Sequence, residues 1–131
     1  MKALDTNILV RLLVADDAVQ AKKNRQLLKK IENNKDELFI TVLVVIELIW
    51  VLESVYSIAR KDIIDAIDDM LQMPIFKFEQ QTTLHAFTNM ALTNNIDLSD
   101  LLISISAKLL KCQTTLTFDK KASKFEYFEL L

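Results

Sequence analysis

The segment Ile96-Asp97-Leu98-Ser99-Asp100-Leu101-Leu102-Ile103-Ser104-Ile105-Ser106-Ala107 sets two carboxylates three residues apart at the mouth of an otherwise apolar helix. At that spacing both side chains can point the same way while the leucines and isoleucines pack inward. Two like charges so placed repel, and partial burial raises the cost, so the pair calls for a shared proton, a basic partner or a metal ion. Capping is the competing reading. Ser99 suits an N-cap, and Asp97 and Asp100 favour the helix macrodipole without any chemistry.

Three further acids stand at comparable places. Asp5 follows the apolar entry of residues 1–4, Asp119 follows residues 114–118, and Glu47 is the only charge in the middle of the apolar stretch 42–52. That stretch reads as a helix, apolar nearly all round and buried on more than one side, so a buried Glu47 needs a partner. A structural salt bridge and a metal ligand are both open to it. A cluster of oxygen donors without histidine or cysteine selects a hard cation, Mg²⁺ or Mn²⁺ rather than zinc. Such ions retain water and polarise phosphoryl oxygens, which is the equipment of phosphodiester hydrolysis. Thr6, Asn7 and Thr117 are placed to orient the ligands or the water.

Gathering these acids requires particular elements. Residues 1–4 read as a buried strand running into a helix with Ile8, Leu9, Leu12 and Leu13 at helical spacing. A second helix runs from Asp16-Asp17 through Ile31, apolar at Val19, Leu27 and Leu28. Lys22, Lys23, Arg25, Lys29 and Lys30 lie on its wetter side, as a solvated face or a phosphate-binding one. Strands follow at 38–41, 75–78 and 114–118, with a final edge strand within 125–131. Helices fill 42–56, 57–73, 79–93 and 99–111, the second of these stopped by Pro74, the only proline. Strands alternating with helices imply an α/β fold with a mostly parallel sheet covered on both faces. Ligands of such sheets bind beyond the carboxyl ends of the strands, where Asp5, Glu47, Asp97, Asp100 and Asp119 would share one rim.

The totals narrow the classes. A chain of 131 residues, 51% apolar, suits one domain, residues 1–131, with an ample core. Net charge is −2 with pI near 5.4, so nucleic acid must be held by a local patch rather than by overall attraction. Glycine is absent, which excludes GxGxxG and P-loop phosphate cradles and leaves positive-φ positions to asparagine, at Asn33-Asn34 and Asn94-Asn95. Cys112, the single cysteine, excludes an internal disulfide and reads as a space-filler. His85 has no second ligand residue beside it and reads as a surface or half-buried position. Asp5 interrupts any signal-peptide core, and the run 38–52 is too short to span a bilayer, so a cytoplasmic location is expected.

Four segments resemble the motifs of PIN domains, in order. Lys2-Ala3-Leu4-Asp5-Thr6-Asn7-Ile8-Leu9 resembles the first, Val45-Ile46-Glu47-Leu48 the second, Asp97-Leu98-Ser99-Asp100-Leu101-Leu102-Ile103 the third, and Leu116-Thr117-Phe118-Asp119 the fourth. Order, spacing and length are similar to VapC-type toxins of bacterial toxin–antitoxin operons. The resemblance implies a three-layer α/β/α sandwich with a central, mostly parallel sheet of four or five strands. It implies a Mg²⁺- or Mn²⁺-dependent endoribonuclease, a homodimer and a cognate antitoxin. It makes Asp5, Glu47, Asp100 and Asp119 the catalytic acids, with Asp5 and Asp100 the principal metal ligands and Glu47, Asp97 and Asp119 secondary. Leu101, Leu102 and Ser104 depart from the alanines of many relatives, and asparagine stands in loops where relatives carry glycine. A PIN fold acting only as a binding module, a non-toxin RNA-processing nuclease and a receiver-type phosphoacceptor domain are the competing readings. The last lacks the acid pair it needs near Asp5.

Overall fold

The computed structural model describes residues 1–131. Its elements run β1 (Lys2–Ala3), α1 (Thr6–Leu13), α2 (Ala18–Asn33), β2 (Leu38–Ile40), α3 (Val42–Ser54), α4 (Arg60–Leu71), β3 (Phe76–Phe78), α5 (Gln81–Ala91), α6 (Leu98–Leu109), β4 (Thr115–Thr117), a 3₁₀ turn (Ala122–Lys124) and β5 (Phe128–Leu130). They form two compact units, Met1–Gln81 and Thr82–Leu131.

In the first unit β1, β2 and β3 make a parallel sheet in that order, Lys2 opposite Leu38 and Leu38 opposite Phe76. Parallel neighbours need long crossovers, which α1 with α2 and α3 with α4 provide. The pattern of α4 shows how each helix finds its side. Ile63, Ile64, Ile67, Met70 and Leu71 recur on one face and are buried, while Asp62, Asp65 and Asp69 stay exposed, and the helix ends ahead of Pro74. Leu9 of α1 and Leu48 and Ile49 of α3 are fully buried where those helices pack, each worth roughly 1.5–3 kcal/mol.

In the second unit β4 pairs with β5 in parallel, Thr115 opposite Phe128. Its core is Leu84 and Phe87 of α5 with Leu98, Leu101, Leu102 and Ile105 of α6. Ser104 is also buried there, and its hydroxyl donates to the Leu101 carbonyl at 2.9 Å, which removes the cost of burying it.

The α/β class and the parallel pairing are as expected, but the single sheet of four or five strands is instead a ladder of three and a ladder of two. The strands are only two or three residues long, and β1 offers just Lys2 and Ala3 to its ladder. Helix α3 is covered on one face only. Val45, Leu48, Ile49 and Leu52 are buried, whereas Leu43, Trp50 and Val55 are 77%, 58% and 61% exposed. Cys112 is exposed rather than space-filling. The bases Lys22, Lys23, Arg25, Lys29 and Lys30 of α2 lie along a helix whose buried residues are Ala21, Asn24 and Ile31. No helix is long and apolar enough to cross a membrane.

Positive φ does not fall to asparagine. It falls to Lys35 (52°), Ser57 (51°), Gln80 (55°) and Lys111 (74°), while Asn34 has φ −85°. Lys35 and Lys111 each follow a helix end, where the next N–H, of Asp36 or Cys112, donates back to the carbonyl of Ile31 or Ala107. That is the Schellman arrangement usually given to glycine. Closing the terminal carbonyls in this way outweighs a left-handed penalty of roughly 1–2 kcal/mol per residue. Lys111→Gly should therefore stabilise the chain by about 1 kcal/mol, net of glycine's extra unfolded-state freedom. Thermal unfolding should show it as a rise of roughly 3–5 °C, and Lys111→Ala should show none.

Candidate active site

Asp5 leaves β1 and is the N-cap of α1, its Oδ1 accepting the Thr6 N–H at 2.8 Å. Thr6 is buried, while Asn7 is exposed. The register pairing Ala3 with Phe39 sets Asp5 beside Thr41, the N-cap of α3, when continued by two residues. Glu47 then lies in the second turn of α3, beyond the same end of the sheet. It is exposed, not buried, so the partner expected of a buried glutamate is not required. An apolar sequence on every side of α3 conceals which face is covered.

Glu79, absent from the acids singled out in the sequence, stands at the same edge after β3. Its Oε1 accepts the Val42 N–H at 2.8 Å and so caps α3 from a neighbouring strand. Its position directly after Phe78 mirrors that of Asp5 after Leu4, and that parallel is the signal by which it could be found.

The second unit holds the tighter group. Asp97, not Ser99, is the N-cap of α6, and its Oδ1 accepts the Ser99 N–H at 3.1 Å. Asp119 follows β4. Its own N–H donates to Thr117 Oγ1 at 3.0 Å, and its Oδ1 accepts the N–H groups of Lys121 at 2.8 Å and Ala122 at 3.2 Å. Asp100 sits in the first turn of α6, half-buried. Its carboxyl is held above the ordinary carboxylate range, first by burial and then by the charges of Asp97 and Asp119. The three acids line one cavity of about 120 Å³ together with Asn95, Ile96, Lys121 and Ala122.

The cavity has room for an ion with part of its water shell. The carboxylates are not drawn in to a ready-made cage of three ligands. Each capping acid uses one oxygen on backbone N–H groups, and these bonds fix the carboxylate's direction. Capping and chemistry are therefore not exclusive here. Of the acids singled out in the sequence, Asp97, Asp100 and Asp119 share this cavity, while Asp5 and Glu47 belong to the sheet edge of the first unit.

Carboxylates after a first short strand, on a helix after the second, at a later helix start and after a fourth strand make a patterned set, and the PIN domain family matches residues 2–126. The chain belongs to the PIN domain family. This PIN domain is also similar to the VapC ribonuclease of Aquifex aeolicus (strain VF5), at 24% identity over 127 residues, which span 97% of the chain and 93% of the relative.

The raised Asp100 has a measurable consequence for stability. Because its folded pKa exceeds the ordinary value, the fold favours the protonated form, and ionised Asp100 lowers stability. That penalty is absent below the unfolded pKa and fully present above the folded one. Asp100→Asn should thus unfold at a higher temperature than the parent at neutral pH. The gap should close as pH is lowered to about 3, as followed by thermal melts across a pH series.

Proposed function

We propose that this PIN domain, acting as one domain over residues 1–131, is a divalent-metal-dependent endoribonuclease and the toxin of a toxin–antitoxin pair. The observation that carries the proposal is the half-buried Asp100 carboxyl facing Asp97 and Asp119 across a small cavity, an arrangement that favours a cation. Likeness to a VapC ribonuclease supports RNA as the substrate. The proposed catalytic acids are Asp5, Glu47, Asp100 and Asp119, with Asp5 and Asp100 the principal ligands and Glu47, Asp97 and Asp119 secondary.

The donors are all carboxylate oxygens, a set that fits Mg²⁺ or Mn²⁺. Bound there, the ion supplies a Lewis acid for a phosphoryl oxygen and a water of lowered pKa. The protein's part is positional. Thr117 fixes the turn that aims Asp119, and the helix starts at Asp5 and Asp97 aim those carboxylates through their own caps. Thr6, Asn7 and Thr117 are the proposed orienting residues.

Protein partners belong to the same proposal. Leu43 and Trp50, two turns apart, leave an exposed apolar stripe on α3, which supports cover by a second copy or by a cognate antitoxin. A cytoplasmic site of action accords with an RNA substrate.

Asp5→Asn and Asp100→Asn should each lower RNA cleavage by at least about a hundredfold, the scale of losing a charge-stabilising group. Circular dichroism should show the fold retained. Chelation by EDTA should stop cleavage by the parent, and added Mg²⁺ or Mn²⁺ should restore it. Cleavage by both variants at the parental rate would overturn the assignment.

A further inference from the structure

A second cavity, of about 230 Å³, adjoins the acidic one and shares Asn95, Ile96 and Lys121 with it. Its remaining lining is Asn94, Lys124 and Phe125, and it contains no carboxylate. Lys121 thus lines both cavities, with the three acids confined to one and Asn94, Lys124 and Phe125 to the other.

We propose that this second cavity is a nucleotide subsite, holding the base and phosphate of single-stranded RNA next to the phosphodiester presented to Asp97, Asp100 and Asp119. The proposal rests on the nuclease reading and adds the residues that hold the substrate. An acidic cleft on a chain of net charge −2 repels a polyanion, so local cations must offset that repulsion. Lys121 and Lys124 are exposed and form no ion pair with the protein, so both ammonium groups are available to phosphate oxygens.

The other lining residues suit a base. Phe125 is half-buried, and its ring is braced against Tyr127 at 5.0 Å between centroids and 54° between planes, which holds it as a fixed stacking surface. Asn94 is occupied with the loop itself. Its Nδ2 donates to the Met90 carbonyl at 2.7 Å, and its Oδ1 accepts the Ile96 N–H at 3.0 Å. Asn95 is exposed beside it, with a side-chain amide able to bond a base edge. Stacking on the Phe125 ring requires a base splayed out of a helix, which favours unpaired RNA.

The test uses the Asp100→Asn chain, which should bind without cutting, and a fluorescein-labelled short single-stranded RNA of mixed sequence read by anisotropy. Lys124→Ala in that background should weaken binding roughly fivefold to tenfold and reduce the salt slope by about one. Lys124→Arg should restore both. Phe125→Leu, which keeps apolar packing against Tyr127 but removes the stacking ring, should weaken binding by about fivefold or more with an unchanged melting temperature. In the active chain both losses should appear in KM with kcat nearly unchanged, and Lys61→Ala at the exposed start of α4 should match the parent. If Lys124→Ala and Phe125→Leu bind and cleave RNA as the parent does, the subsite is overturned and the nuclease stands. Loss of a co-purifying protein partner, with RNA binding intact, would overturn the subsite equally. If the parent neither binds nor cleaves RNA, both proposals fall together.

Discussion

Mutual repulsion of carboxylates that the fold will not let separate is the constraint behind this site. Asp97 and Asp100 are carried by the cap and first turn of one helix, and Asp119 is brought to them by the turn after β4. In water the three would move apart at little cost. Here Asp100 is partly withdrawn from solvent, so its charge is poorly hydrated and it feels both neighbours through a medium of lower dielectric. The apolar core behind it, Leu98, Leu101, Leu102 and Ile105, keeps α6 from turning to relieve that repulsion. Packing thus maintains an electrostatic arrangement that is unfavourable by itself, which is the usual mark of a binding or catalytic site.

Backbone N–H groups at element ends supply the precision. Asp5, Asp97 and Asp119 each accept from N–H groups one to three residues ahead, and Glu79 accepts from α3 across the sheet. A carboxylate fixed through one oxygen retains lone pairs on the other, in a direction set by the backbone rather than by a flexible side chain. The sequence contains no glycine with which to shape loops around a ligand. Helix starts and Asx-type turns take over that task, while lysines accept the strained left-handed positions at helix ends.

Much of this is legible in the residues alone. The alternation of apolar runs with amphipathic ones specifies parallel strands and their crossover helices, and it places Asp5 and Asp119 just beyond the ends of β1 and β4. What escapes has physical reasons. The exposure of Glu47 is hidden because α3 is apolar at Leu43 and Trp50 as well as at Val45 and Ile49, and a pattern without polarity carries no direction. Ladder membership of strands two or three residues long depends on tertiary placement, so the division into three and two leaves no trace in the residues. Asparagine is a reasonable substitute for glycine by propensity. The Schellman bonds at Lys35 and Lys111 override that preference, because satisfying helix-end carbonyls outweighs one strained φ.

The distribution of charge, rather than its sum, then decides how such a chain can meet a polyanion. The slight negative total hides a division at short range, with three acids and Lys121 lining one cavity and Lys121 with Lys124, but no acid, lining the next. The potential of an ionic group decays within about 10 Å at ordinary salt. A phosphate chain arriving at this surface therefore responds to the nearest side chains and hardly at all to the molecule's total. The backbone N–H groups of Lys121 and Ala122 hold Asp119, and Lys124 follows in the same turn, so the bases of the second cavity stem from the segment that fixes the acid. A single turn in this way sets an attractive field beside a repulsive one, Lys121 and Lys124 lying within five residues of Asp119 along the chain.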